Sequence, residues 1–329
     1  MRNFLLFFLL LNFLTACQPE KNSHPIQFYY WKSNVNFGET ERTYFEALNS
    51  EKLYVRLFDV VIKEGRIEPT ALVQKFDTQK LKADFVPVVY IINEVFQGIS
   101  KNEIKKLAKD VLGLVQSIAN ENGFDGFVEI QIDCDWTAST RDNYFLFLNE
   151  LRNIAQKNIS STLRLHQVKF KTKTGIPPAD KVYLMCYATS NPIEEVEKNS
   201  ILDLELLKDY LKDIDQYPLK IDVALPIYSW AIATNHLGKK KLINGVTESD
   251  VKNENFRKIN EGLYEVTTDA FLRGVYLNQG FTVKPESISA ELLTESRRFL
   301  DAKIQSDFDI VYYHLDSLFL SKYNIQDLQ

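Results

Sequence analysis

The segment Phe127-Val-Glu-Ile-Gln-Ile-Asp-Cys-Asp-Trp136 alternates strictly between apolar and polar residues. Val128, Ile130, Ile132 and Cys134 fall on one face of an extended strand, and Glu129, Gln131, Asp133 and Asp135 on the other, because successive strand side chains point to opposite sides. Two arrangements satisfy this pattern. One is an edge strand with a single wet face. The other is a strand of a closed barrel, apolar toward an outer layer of helices and polar toward the lumen, ending in two carboxylates at its C-terminal rim. The rest of the chain supplies the other strands that a closed parallel barrel needs.

Seven more segments read as strands: Ile26–Trp31, Leu53–Asp59, Phe85–Glu94, Ser161–Phe170, Lys181–Tyr187, Lys220–Trp230 and Asp309–Asp316. Phe85–Glu94 is almost continuously apolar, which suits a strand covered on both faces, and Pro87 near its start is tolerated there. Helices are expected at Glu39–Leu48, from Pro69 through Leu72, Val73 and Phe76, at Ser139–Lys157, at Leu202–Ile214 and at Ser289–Lys303; proline fits a first helical turn. A further helix opens at the capping box Ser100-Lys-Asn-Glu103, carries Ile104, Leu107, Val111, Val115 and Ile118 on one side, and stops at Asn122-Gly123. From about 231 to 307 the pattern changes to glycines, the run Lys239-Lys-Lys241 and strand-like pieces around Tyr264 and Val275. Eight strands mostly separated by helices predict an α/β fold of the (β/α)8 TIM-barrel type with a long insertion between strands 7 and 8. The competitor, an open doubly wound sheet, usually carries a Gly-x-Gly-x-x-Gly turn after its first strand, and none stands there.

The N-terminus reads as an address. Arg2 precedes a Leu- and Phe-rich run from Phe4 to Leu14, which fits a secretory signal and is too short to span a bilayer. Leu14-Thr-Ala-Cys17 resembles the lipobox of bacterial lipoproteins. That resemblance implies a signal peptide over 1–16, lipidation of Cys17, a tether over 17–25 and a single barrel domain over 26–329. The membrane would then be a partner through the acyl chains, each buried methylene contributing about 0.8 kcal/mol. The protein is expected to be exported and lipid-anchored to the bacterial cell envelope, with the outer membrane as the expected site. An ordinary cleavable signal with an incidental cysteine is the alternative. A net charge of −5 gives no electrostatic case for nucleic acid. Cys134 and Cys186 fall on strands four and six, roughly 9–10 Å apart, beyond the reach of a disulfide at about 7 Å, so both should be free.

Active sites of such barrels lie at the C-terminal strand ends. The residues expected there include Trp31, Asp59, Glu94, Asp133, Asp135, Tyr187, Tyr228, Trp230, His314 and Asp316. Carboxylates ringed by Trp and Tyr suit a carbohydrate, because aromatic faces stack on sugar rings and acids transfer protons. Asp135 is the expected acid/base and Asp133 its charge-tuning neighbour, with Asp59, Glu94 or Asp316 as second carboxylate. Trp31, Arg56, Gln131, His166, Tyr187, Tyr228, Trp230 and His314 are the expected substrate-binding set. Each also has a plain reading: a strand-end Asp caps the next helix, and Tyr228 and Trp230 pack under the insertion. His166 and His314 with Asp133 and Asp135 raise a metal site, but Gln27–Trp31 lacks the His-x-His pair common in metal-dependent barrel hydrolases. Buried histidines usually only hydrogen-bond, so no metal or other cofactor is expected. Neither a nucleophile elbow nor a P-loop is present.

Asp133-Cys-Asp-Trp136, with Phe124-Asp-Gly126 ahead of it, resembles the fourth strand of the chitinase-type glycosidases. Their Asp-x-x-Asp-x-Asp-x-Glu motif ends in the catalytic acid. In this register Thr137 stands in place of that Glu and Ile130 in place of the first Asp. Sliding by two residues puts Asp135 at the acid's place, with Gln131 and Val128 in the remaining positions. Neither register restores the motif. Gln131-Ile-Asp-Cys-Asp135, Ser139-Thr-Arg141, Arg56 to Asp59 and Ala224-Leu-Pro-Ile-Tyr228 are similar, over most of the mature chain, to a group of uncharacterised bacterial proteins with a predicted glycosidase-like barrel. The resemblance implies an extracytoplasmic, membrane-anchored, glycoside-hydrolase-like lipoprotein acting on or binding a glycan or other small polar ligand. The alternative is a non-catalytic carbohydrate- or partner-binding lipoprotein, for which the insertion would offer a surface.

Overall fold

The computed structural model describes residues 24–74, 78–194 and 198–329. Cys17 and the expected signal peptide lie outside the described residues, as does Phe76. In chain order the elements are β1 (Ile26–Tyr30), α1 (Glu39–Ala47), β2 (Lys52–Lys63), β3 (Arg66–Thr70), β4 (Asp84–Ile91), α2 (Lys101–Glu121), β5 (Glu129–Asp133), α3 (Arg141–Ala155), β6 (Asn158–Arg164), α4 (Leu165–Lys169), α5 (Lys171–Thr174), β7 (Lys181–Met185), α6 (Leu204–Tyr210) and β8 (Lys220–Pro226). Parallel pairing runs β2-β4-β5-β6-β7-β8 to the last strand, β16 (Ile310–Tyr313). β1 then pairs with both ends of that row, Phe28 against Leu53 and Ile26 against Ile310, so the sheet closes into an eight-stranded parallel barrel with helices outside.

Period-two alternation on each strand sorts the core into two layers. Ile130, Ile132 and Cys134 face outward into the apolar layer under the helices, with Tyr144, Leu148 and Leu151 of α3. The lumen is filled by Tyr29, Tyr54, Val88, Tyr183, Met185 and Val311. Below them, the Tyr54 and Tyr183 hydroxyls meet at 2.8 Å, and Tyr183 donates to Glu129 at 2.8 Å. Lys181 sits between Glu129 at 3.2 Å and Asp222 at 3.0 Å, closing the base. Cys134 and Cys186 are free and buried, with β6 between their strands.

Two expected elements are different. The segment after Pro69 opens no helix among its described residues. Arg66–Thr70 is β3, folded back antiparallel on an overlong β2, with Asp59 opposite Thr70 and Lys63 opposite Arg66. Glu64 and Gly65 both take positive φ in the connecting turn, the combination that a tight two-residue hairpin requires. Pro69 is tolerated because β3 has no neighbour on its other side. The fifth barrel strand ends at Arg164 rather than Phe170. From Leu165 the burial pattern turns helical, Leu165 and Val168 in and His166 and Lys169 out, and the Gln167 side chain caps the Arg164 N–H at 2.8 Å.

Between β8 and β16 the chain builds β9 (Trp230–Thr234), β10 (Lys240–Asn244), β11 (Phe256–Asn260), β12 (Leu263–Val266), β13 (Ala270–Leu272), β14 (Val275–Leu277) and β15 (Thr282–Glu286). Five form an antiparallel sheet in the order β10-β9-β15-β12-β11, and β13 and β14 form a separate hairpin. This insertion has its own apolar core around Val246, Val251, Val266 and Val283. α7 (Ala290–Lys303) then returns to the barrel wall, burying Leu293 and Leu300. The seam is tight at Gly245, at φ +76°, where a Cβ would lie 2.5 Å from Leu318 of α8 (Ser317–Leu320).

Candidate functional site

At the C-terminal end of the barrel lies a cup of about 560 Å³. β5 brings Asp133 to it, the segment just after β5 brings Asp135, and β6 brings Arg164. Asp133 is half-buried and accepts a hydrogen bond from the Thr162 hydroxyl at 2.7 Å. The Thr162 oxygen in turn accepts the Cys134 N–H at 3.3 Å, which aims its single proton at the carboxylate. Burial first, and the neighbouring Asp135 second, push Asp133 up to about 7, against the opposing pull of Thr162 and Arg164. Asp135 is 49% exposed and lies 3.4 Å from the Arg164 guanidinium. Asp133 therefore has the shielded position and Asp135 the solvated, ion-paired one. The cause is position: Asp133 ends β5 inside the cup, and Asp135 follows it into solvent. Tyr90, on the neighbouring strand, is pushed to about 12 by burial and by both carboxylates, so its hydroxyl stays a neutral donor.

The opposite wall is aromatic. Trp31 lies 5.6 Å from Tyr313, which lies 5.5 Å from Tyr187 and 5.7 Å from Tyr228. Tyr228 continues to Trp230 at 5.3 Å. Trp230 is held by its indole N–H, which donates to Glu286 of the insertion at 2.8 Å. At one edge of this wall Lys32 and Asp316 pair at 2.8 Å. Burial would raise the Asp316 carboxyl, yet Lys32 and the Leu318 N–H hold it below its ordinary value. Burial lowers His314 beside it, keeping the imidazole neutral. Among the described residues no group of three or more His, Cys, Asp or Glu is arranged to hold a metal ion.

No family model matches the sequence, and no curated protein does. Solved structures do. The spore cortex-lytic enzyme of Bacillus cereus superposes with a TM-score of 0.57 at 14% identity, over 93% of this chain and 73% of that one. A chitinase from Chromobacterium violaceum gives 0.56 at 11% identity, over 93% and 98%. A class V chitinase from Nicotiana tobaccum gives 0.53 at 11%, again over 93% and 98%. The likeness is one of fold, a (β/α)8 barrel that these enzymes also have. Identity this low establishes the fold alone.

Within this barrel, Asp133, Asp135, Asp316, Trp31, Tyr187, Tyr228, Trp230 and His314 all line the cup. The other expected residues do not. Gln131 is fully buried one strand step below Asp133. Arg56 spends one guanidinium nitrogen on both Asp59 oxygens, at 2.9 and 2.8 Å, and another on Ser33 at 2.9 Å, and it stacks 5.9 Å over Trp31. Asp59 and Arg56 therefore back the aromatic wall. Glu94 is exposed in a single turn after β4, and His166 is exposed on α4, because the strand stops before it. Arg164, Tyr313, Thr162 and Tyr90 went unread, though alternation carried the signal. Val311 and Tyr313 face inward while Tyr312 faces the helices, and Ser160, Thr162 and Arg164 share one face of β6.

Proposed function

We propose that the cup binds a glycan and that Asp133 donates the proton in cleavage of a glycosidic bond. The observation that carries this reading is a half-buried carboxyl that keeps its proton up to about pH 7 and is bonded by Thr162, under an aromatic wall. A general acid needs a pKa near the working pH. Relatives of the fold support the glycan: the class V chitinase was solved in complex with NAG4 and an Ostrinia furnacalis chitinase domain with a longer N-acetylglucosamine oligomer. A second reading, binding without turnover, is favoured by Thr137. It stands where the glycosidase motif has its acid, and its hydroxyl is engaged with Ser139 at 2.9 Å. Titrating the protein with N-acetylglucosamine oligomers and peptidoglycan glycan strands, while following Trp31 and Trp230 fluorescence and release of reducing ends, separates the two. Turnover by the wild type supports the enzyme, binding alone supports the second reading, and no binding rejects both.

We also place the protein on the cell envelope through a lipid on Cys17, on the strength of Leu14-Thr-Ala-Cys17. Among the described residues no helix is long and apolar enough to cross a membrane. Metabolic labelling with a radioactive fatty acid should mark the wild type and not Cys17→Ser. Equal labelling of both would reject the anchor.

A further inference from the structure

The chain enters the barrel at the end opposite the cup. Ile26, at the start of β1, pairs with Ile310 at the start of β16, and the Ile310 N–H donates to the Pro25 carbonyl at 2.9 Å. At the other end of the same two strands, Trp31 and Tyr313 line the cup. His24 is fixed as well. Its ring stacks on Phe308 with centroids 3.9 Å apart. Its two nitrogens meet the Phe308 carbonyl at 3.0 Å and the carboxylate of Asp301, near the end of α7, at 2.7 Å. From His24 onward the chain is therefore part of the closed end. Around it four barrel strands start with Lys52, Asp84, Asn158 and Lys220, a surface of mixed charge.

We propose that this closed end is the face the protein turns to the membrane, with the cup held open on the far side, away from the lipid. The inference rests on the lipid at Cys17 put forward above. His24 is the seventh residue after Cys17, and that stretch, fully extended, spans about 25 Å at most. A globular chain of this length has a radius of gyration of roughly 19 Å, and hence a diameter of about 50 Å. A tether of half that diameter, rooted at the closed end, reaches a bilayer lying under that end. It cannot reach round the body to a bilayer lying over the cup. Mixed charge at the strand starts meets headgroups and water without burying a charge and gives no net attraction of its own, so the acyl chains supply the hold. The cup then takes its ligand from the aqueous space beyond the protein, and not a saccharide carried on a lipid of the same bilayer.

The test uses the lipidated full chain with a single added cysteine, Lys220→Cys at the closed end or Glu94→Cys beyond the C-terminal end of β4. Both positions are exposed, and the native Cys134 and Cys186 are buried, so a donor dye goes to the added thiol. Each protein is bound to vesicles of phosphatidylethanolamine and phosphatidylglycerol that carry an acceptor-labelled lipid, and flotation reports binding. The Lys220→Cys label should lose most of its emission to the acceptor, and the Glu94→Cys label little. Equal losses, or the larger loss at Glu94→Cys, overturn the orientation and leave the anchor in place, because both proteins float. A chain that does not float, or that floats equally well with Cys17→Ser, loses the anchor, and the orientation goes with it.

Discussion

Replacing Asp133 by Asn should lower the rate of glycan hydrolysis by about 10²- to 10⁴-fold, the usual contribution of a positioned general acid, with little change in glycan affinity. Asparagine keeps the size and the hydrogen bond from Thr162 but has no proton to give. The same carboxyl predicts the pH profile. With its pKa near 7, Asp133 is protonated below that value, so activity should be steady on the acid side and fall as pH rises through about 7. Asp135→Asn should act differently. It removes a like charge beside Asp133, so the fall should move to lower pH, and it releases Arg164 from its ion pair. A profile that rises through neutrality, or an Asp133→Asn protein as fast as wild type, would sink the assignment.

That arrangement costs stability where the carboxyl ionises, toward and above pH 7. The carboxyl's ordinary value is 3.8, and in the fold it is about 7, so the folded state binds the proton more tightly than the unfolded chain. The stabilisation this gives is complete below about pH 4 and is lost as pH rises to 7. That rise corresponds to about 4 kcal/mol at most, and partial exposure reduces it to roughly 1–3 kcal/mol. The variant that loses activity should therefore be the more stable protein above pH 7. Strain of this sort at a candidate catalytic group is what the trade-off between stability and activity leads one to expect.

How far the sequence led depended on which period governed each stretch. Ile130, Ile132 and Cys134 against Gln131, Asp133 and Asp135 announced both the strand and the side its acids face, and the same alternation on the other strands announced the closed barrel. It failed where a period changed within a few residues. Leu165 carries on the alternation of Ile159 and Leu163 in β6, and only the caps and burial show that Leu165 to Lys169 is helical. Pro69 reads as a helix start, yet Gly65 just ahead of it permits the turn that makes it an edge strand. The ranking of Asp133 and Asp135 was also hidden. Both point to one face, and what separates them is burial: Asp133 is half-buried at the end of β5, whereas Asp135, just beyond it, is exposed and paired with Arg164 of β6. Nothing local to β5 reveals that.

The largest effect on stability should come from the closed end of the barrel, away from the cup. Glu129 and Asp222 are 6% and 1% exposed, and Lys181 bridges them. Burial alone would lower the Lys181 ammonium, but the two carboxylates outweigh it and raise it. Lys181→Met would leave two buried acids with only neutral donors, Ser160 and Tyr183 for Glu129 and the Asp309 N–H for Asp222. Removing one partner of a buried ionic group costs about 3–5 kcal/mol, which urea denaturation would read directly. A second change decides the cause. Adding Glu129→Gln to Lys181→Met removes one stranded charge and should restore part of the loss, whereas a packing defect would leave the double variant no better than the single. Because these groups join the lumen's tyrosines from below through Tyr183, loosening this end should not change glycan affinity at the cup while the protein stays folded. A Lys181→Met protein within 1 kcal/mol or so of wild type would mean that water reaches the cluster and screens it.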